Sequence, residues 1–141
     1  AAGVGFWEGE HPGTQEEAFE AVKLAHALGN DPKAVVDYGT QKGDPTWNQT
    51  TAMHGAANRG ADLLVRWRAE KGGPLESKSQ RGITPWHIAA GLDGGLFHAW
   101  PKTAELIEQL AKEQNVTLDK ADPTRNMPAR GSRAAESTGA R

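Results

Sequence analysis

The chain contains no cysteine among its 141 residues. This absence excludes disulfide bonds, thiolate catalysis, cysteine-ligated zinc and cysteine-linked haem, although it does not fix the cellular compartment. Apolar residues are also scarce, at 37% of the chain, so any hydrophobic core must be thin and spread along the sequence. No apolar run approaches the roughly 18 residues that a membrane-spanning helix needs, so no membrane insertion is expected.

An excess of charge of one sign is lacking as well. The 16 Lys and Arg residues are offset by 18 Asp and Glu residues, which leaves a net charge of −2. A balance of this kind gives no electrostatic basis for binding nucleic acid or an anionic membrane. We therefore expect no nucleic-acid partner.

Recognisable catalytic motifs are absent too. The sequence has no HExxH pair, no Walker A loop, no GxSxG turn and no GxGxxG fingerprint. An acidic cluster near the N-terminus is interpreted as a solvated loop and helix start, with cation binding as the alternative; it comprises Glu8, Glu10, Glu16, Glu17 and Glu20. We expect no catalytic residue, no metal and no cofactor, and interpret the chain as a protein other than an enzyme.

Glycine and proline are plentiful, with 17 and 8 residues, which suits short helices joined by frequent turns. One stretch occurs twice: TPWHIAA begins at Thr84, and TAMHGAA begins at Thr51, 33 residues earlier. In both copies the Thr can cap a helix with its hydroxyl, and Pro85 suits the first helical turn. Self-similarity at this period indicates a repeat architecture built from helix–turn–helix units.

The repeated stretch resembles the Thr-Pro-Leu-His-x-Ala signature of the ankyrin repeat. More closely, segments 1–6, 28–31, 51–57 and 82–85 are similar to the C-terminal end of large bacterial ankyrin-repeat proteins. The resemblance implies an all-α ankyrin-repeat solenoid of about two and a half repeats, with enlarged loops and an extended C-terminal tail.

The resemblance also implies roles for His54 and His87. They correspond to the structural histidine of the family, which hydrogen-bonds neighbouring backbone and ties adjacent repeats together. The alternative is a metal ligand or a general base. Neither histidine has a further His or carboxylate at ligand spacing, which favours the structural role.

The expected ankyrin-repeat domain covers residues 1–115. It divides into a partial first repeat over 1–29, a second repeat over 49–73 and a third over 82–115, joined by finger loops. The first helix is expected over residues 15–28, with an apolar stripe of Ala18, Ala21, Val22, Ala25 and Leu28. Residues 116–141 are expected to form a polar, extended tail that rests on a partner.

Five tryptophans stand out in a sequence with few aromatic residues. Trp67 and Trp86 lie on expected helices and are interpreted as core residues. The others, Trp7, Trp47 and Trp100, lie in irregular loops, where aromatic residues often anchor interfaces. The alternative is that each of the three folds back to cover its own loop.

Ankyrin repeats commonly bind partners through their finger loops and the concave face of their inner helices. The resemblance therefore implies a non-catalytic protein–protein interaction scaffold, part of a larger bacterial protein or complex. We expect partner-binding residues in the fingers, inner helix, irregular loops and tail: Tyr38, Trp47, Asn48, Gly55, Asn58, Arg59, Ser79, Gln80, Arg81, Trp7, Trp100, Arg125 and Arg130.

The alternative function is an accessory subunit of a multi-subunit exported oxidoreductase whose active centre lies on another chain. Proteins of the resembled group are often exported, which favours a periplasmic or secreted location. The chain starts at Ala1 in what looks like mid-repeat, so we expect it to be processed, or a fragment of a longer ankyrin array or hetero-complex. Because about three repeats are needed for stability, we also expect an unstable free monomer.

Overall fold

A computed structural model describes residues 13–37, 47–93 and 98–126. Within these ranges lie five α-helices and one 3-10 turn: α1 (Gln15–Ala27), α2 (Ala52–Asn58), α3 (Asp62–Glu70), α4 (Pro85–Ala90), α5 (Pro101–Glu113) and the turn Pro123–Asn126. The same ranges contain no β-strand beyond a single antiparallel bridge between Val35 and Thr51. The prediction of an all-α fold is confirmed for the described part of the chain.

The helices stand in two rows. Helix α2 packs against α3 and α4, while α5 packs against α4 and α3. Helix α1 joins α3 through Trp67, whose ring centroid lies 6.0 Å from that of Phe19 and 5.2 Å from that of His26. Helices α2 and α4 therefore form an inner row, and α1, α3 and α5 form an outer row.

Three threonines begin helices by capping them. The hydroxyl of Thr14 accepts the backbone N–H of Glu17 at 3.1 Å, and the Glu17 carboxylate accepts the Thr14 N–H at 2.9 Å. Thr51 and Thr84 cap α2 and α4 with nearly identical extended backbones. A cap of this kind stabilises a helix by about 1 kcal/mol, so the threonines fix where each helix starts.

All five helices also end in the same way. In each, two successive backbone N–H groups turn back to carbonyls three and five residues earlier, as Gly72 does to Ala69 and Gly73 to Arg68. The first of the two residues adopts a left-handed backbone, which glycine or asparagine tolerates best; these residues are Gly29, Gly60, Gly72, Gly91 and Asn115.

The core is a thin layer of side chains between the two rows of helices. Its largest fully buried members include Met53, Leu64, Leu75 and Ile107. Many of the remaining core residues are alanines, such as Ala56 and Ala89, which let the helices approach closely. None of the helices in the described ranges is both long enough and apolar enough to cross a bilayer.

The predicted apolar stripe of α1 is partly wrong. Ala18 and Val22 are buried as expected, but Ala21 is exposed and Leu28 is 80% exposed. The cause is the direction in which the helix faces: α1 turns its Phe19 side towards α3 and leaves the opposite side uncovered.

The tail also differs from its predicted form where it is described. Val116 and Leu118 pack against the core, and the carbonyl of Ala121 accepts a hydrogen bond from His87. Residues 116–125 are thus supported by contacts within the same chain, because two apolar side chains reach the core. Residues 127–141 lie outside the described residues.

Candidate interaction surface

His54 sits at the junction of two repeats and is fully buried. Its Nδ1 accepts the backbone N–H of Thr51 at 3.1 Å, and its Nε2 lies 3.0 Å from the carbonyl oxygen of Ile83. A backbone N–H can only donate and a carbonyl can only accept, so the proton of the neutral ring resides on Nε2. The ring therefore ties the start of α2 to the chain just before α4.

His87 repeats this arrangement one unit later. Its Nδ1 accepts the N–H of Thr84 at 3.0 Å, and its Nε2 donates to the carbonyl of Ala121 at 2.8 Å. Sequence reasoning expected a backbone partner but did not identify Ala121, since no period points to a residue in the tail. Both histidines use both ring nitrogens within the fold.

The electrostatics of the two rings agree with these structural roles. Burial lowers the pKa of His54 from 6.5 to about 4, although its carbonyl partners pull in the opposite direction. Burial also lowers the pKa of His87. Both rings are held neutral at pH 7, and neither nitrogen is left to bind a metal or to move a proton.

The finger between α3 and α4 is a tight turn at residues 79–83. The Ser79 N–H donates to the Ile83 carbonyl at 2.9 Å, and the Gly82 N–H donates to the Ser79 carbonyl at 2.9 Å. Gly82 takes a φ of 76°, a conformation that glycine adopts without strain. The turn presents Gln80 and Arg81 to solvent.

A pair of hydrogen bonds links this finger to the preceding one. The Gln80 N–H donates to the Asn48 carbonyl at 3.0 Å, and the Asn48 side-chain amide donates to the Gln80 side chain at 2.8 Å. The two residues are 32 positions apart in sequence. The contact ties the turn at residues 79–83 to the segment just before α2.

The structure sorts the predicted site residues by exposure. Gln80, Arg81 and Arg125 are exposed, while Asn48, Arg59 and Trp100 are half-buried. A third set is buried and takes part in packing: Trp47, Gly55, Asn58 and Ser79. The burial of Trp47, at 7% exposed, favours the alternative in which this indole covers its own loop. Trp7, Tyr38 and Arg130 lie outside the described residues.

Trp100 has a structural role that the sequence did not indicate. Its indole N–H donates to the Asn58 carbonyl at 3.0 Å, and its backbone N–H donates to the Ala89 carbonyl at 2.8 Å. The ring lies so close to Gly60 that a Cβ added there would overlap it. Trp100 thus fastens the loop before α5 onto the ends of both inner helices.

A charged cluster closes the edge where α5 meets the tail. The Lys120 ammonium lies 2.9 Å from the Glu108 carboxylate and 5.1 Å from the centre of the Trp86 ring. The Trp86 indole donates to the same carboxylate at 2.9 Å. Hydrogen bonds from Lys120 and Trp86 lower the pKa of Glu108. The side chains of Lys120, Glu108 and Trp86 therefore bind one another at this edge.

No family model matches the sequence, and no curated protein matches it. Among the side chains that the structure describes, no group of three or more His, Asp or Glu is placed to hold a metal ion. The candidate site is accordingly defined by geometry alone: the polar finger edge formed by Asn48, Gln80 and Arg81, with Arg59 on the neighbouring inner helix region.

Proposed function

We propose that this chain is a non-catalytic protein–protein interaction module built on ankyrin-like repeats, and that it works as part of a larger bacterial protein or complex. The observation that carries the proposal is the double hydrogen bond between Asn48 and Gln80. It ties the turn at residues 79–83 to the segment before α2, which holds the exposed Gln80 and Arg81 in place as a surface for binding a partner requires.

The histidines support the same interpretation. In both copies of the repeated stretch the histidine, a residue type suited to acid–base chemistry at neutral pH, is occupied by backbone contacts on both ring nitrogens, as His54 and His87 show. The helices that begin at these stretches are thereby held in place, and the turn at residues 79–83 is displayed on a fixed frame. Recognition through fixed fingers requires little reordering on binding.

Charge reversal at the finger tests this proposal. Arg81→Glu changes an exposed side chain at the tip of the finger, and Glu113→Arg makes the opposite change at the C-terminal end of α5. Partners that co-purify with the wild-type chain from its native cells are identified and then bound to each purified variant. We expect Arg81→Glu to weaken binding at least about tenfold, the equivalent of 1.4 kcal/mol, and Glu113→Arg to leave it unchanged. Equal effects of the two changes would refute the finger edge as the binding surface.

The alternative, an accessory subunit of an exported oxidoreductase, stays a prediction of the sequence resemblance. Its test is the absorbance spectrum of the co-purified complex. A haem, flavin or quinone signal stoichiometric with this chain would favour the accessory subunit, and its absence from a stoichiometric complex would favour the plain interaction module.

A further inference from the structure

The three outer helices are equivalent, position by position. Their left-handed end residues, Gly29, Gly72 and Asn115, are spaced by 43 residues each time. A shift of 43 therefore places Leu24 of α1 on Trp67 of α3 and on Leu110 of α5. The equivalence makes it possible to ask, for each helix, which positions face the next helix and which face the previous one.

One set of positions, here named the leading positions, faces the following helix. In α1 they are Phe19, Val22 and His26, two of which contact Trp67. In α3 they are Asp62, Val65 and Ala69. The Asp62 carboxylate accepts a hydrogen bond from Thr103 at 2.6 Å, and the Ala69 carbonyl accepts one from Gln114 at 3.1 Å. Val22 and Val65 are completely buried by these contacts.

A second set, the trailing positions, faces the preceding helix. They are Leu24 in α1, Trp67 in α3 and Leu110 in α5, and the residue just after each helix: Leu28, Lys71 and Gln114. Leu110, with α3 before it, is only 4% exposed. Leu24 is 61% exposed, so the apolar position that is covered on α5 is open on α1.

At the other end of the row of outer helices, α5 carries charged residues at its leading positions. The leading positions of α5 are Glu105, Glu108 and Lys112, where α1 and α3 carry a valine at the middle position. Glu108 is paired with Lys120 of the tail, and Val116 and Leu118 pack against the core beside it. Charged residues on the outer face are the usual device by which a repeat array ends.

We infer that the exposed face of α1, formed by Ala21, Leu24 and Leu28, is a docking surface for the outer helix of another repeat of this kind, one with apolar leading residues. The inference rests on the proposed function and assigns a second, separate surface to it. Continuity with the α1–α3 and α3–α5 contacts identifies the occupant. A second copy of this chain stacked head to tail is disfavoured, because it would press Glu105 and Glu108 against leucines and strip their carboxylates of water.

A variant of this chain can serve as a substitute for the proposed partner helix. The triple variant Glu105→Asp, Glu108→Val, Lys112→Ala gives α5 the leading residues of α3. Copies of this variant should stack α5 on α1, and because such a contact does not close on itself, their mass in sedimentation equilibrium should grow with concentration. We expect an association constant at least about tenfold above that of the wild type.

Two further variants assign the association to the leucines. Adding Leu24→Glu to the triple variant should return it to a monomer. Adding Leu63→Glu, at a leucine of α3 that is 55% exposed, should leave the association intact. If the triple variant loses its helical circular dichroism, Glu108→Val alone takes its place.

Three outcomes would overturn the inference: a folded variant that stays monomeric, association that survives Leu24→Glu, or a wild-type dimer that Leu24→Glu dissolves, which would make a second copy the occupant. None of these measurements depends on Arg81. Failure here and failure of the finger edge are therefore distinguishable.

Discussion

At the scale of single residues, the imidazole of His54 holds two repeats together only while it is neutral. Its Nδ1 accepts a backbone N–H, and that bond is lost as soon as a proton occupies the nitrogen. The ring is also completely buried, so its cation would have no water around it. Both effects make protonation unfavourable in the folded chain but not in the unfolded one.

Stability should therefore fall with acid. The pKa of His54 is about 4 in the folded chain, against 6.5 for an ordinary histidine. Its contribution is fully present above pH 6.5 and is lost as the pH falls from 6.5 towards 4, by about 3 kcal/mol in total. Urea unfolding at pH values across this window measures the loss. His54→Gln should be less stable at pH 7 and should show a shallower pH dependence; an equal slope in both proteins would contradict the assignment.

Arg68 is a buried charged residue with two nitrogen atoms that make no hydrogen bond. It is only 3% exposed, its Nε and Nη1 have no hydrogen-bond partner, and burial lowers the pKa of its guanidinium. The centre of the Trp67 ring lies 5.9 Å from the guanidinium carbon, but a buried charge with two unsatisfied N–H groups is costly. Arg68→Met should raise the free energy of unfolding by about 1 to 3 kcal/mol, measured by urea denaturation. Arg66→Met, on the exposed side of the same helix, is the control and should change little; a loss of stability in Arg68→Met would show that the guanidinium has a partner.

At the scale of elements, Gly60 lies just after the inner helix α2 and contacts Trp100, which lies just before the outer helix α5. This contact holds the two helices together. Gly60 has a φ of 61°, and the Trp100 ring occupies the space that a side chain would need. Gly60→Ala should destabilise the chain by about 2 to 4 kcal/mol, from backbone strain and overpacking together.

Gly72 provides the matched comparison for that change. Its φ of 82° is also left-handed, but nothing lies within 4 Å of the place where a Cβ would stand. Gly72→Ala should thus cost only the backbone strain, about 1 kcal/mol. Thermal unfolding of the two variants separates the contributions. If both lose the same amount of stability, Trp100 does not pack on Gly60 as described.

These elements show which parts of the fold local chemistry can predict. The starts of α1, α2 and α4 follow from threonine caps, and the ends of the first four helices follow from glycine, because each cap contact spans only a few residues. The expected helix over 15–28 is accordingly observed as Gln15–Ala27. The bond from Trp100 to Asn58 joins residues 42 apart across an enlarged loop, and no periodic pattern points to it. The same holds for the bond between His87 and Ala121, 34 residues apart.

The candidate site also has features that the local sequence can predict and features that it cannot. The exposure of Gln80 and Arg81 follows from the tight turn that the positive φ of Gly82 allows, and glycine is the residue that favours such a turn. The burial of Trp47 and Asn58 depends on how separate loops pack, which residue type alone does not determine. The exposure of one face of α1 could not be predicted for a further reason. A stripe of apolar residues has the same sequence pattern whether or not a neighbouring helix covers it.

At the scale of the whole molecule, the two ends of the described outer row differ. Glu108 of α5 is paired with Lys120 of the tail, whereas α1 exposes Leu24, as does Leu28 just after it, and contacts Trp67 of α3. The two and a half repeats that the ankyrin resemblance implies predict that the isolated chain is only marginally stable. Circular dichroism during heating measures this directly. A broad transition at low temperature is expected, and cooperative unfolding at high temperature would contradict the prediction.

We propose that the finger edge, and not the exposed side of α3, meets the partner protein. Site-specific photo-cross-linking tests it most directly. A photoreactive residue is placed in turn at Gln80 in the finger and at Glu70 near the end of α3, both of which are exposed. We predict that cross-links to a partner in native cells form from Gln80 and that they are weak or missing from Glu70. Cross-linking from Glu70 alone, or with equal yield from the two positions, would contradict the claim.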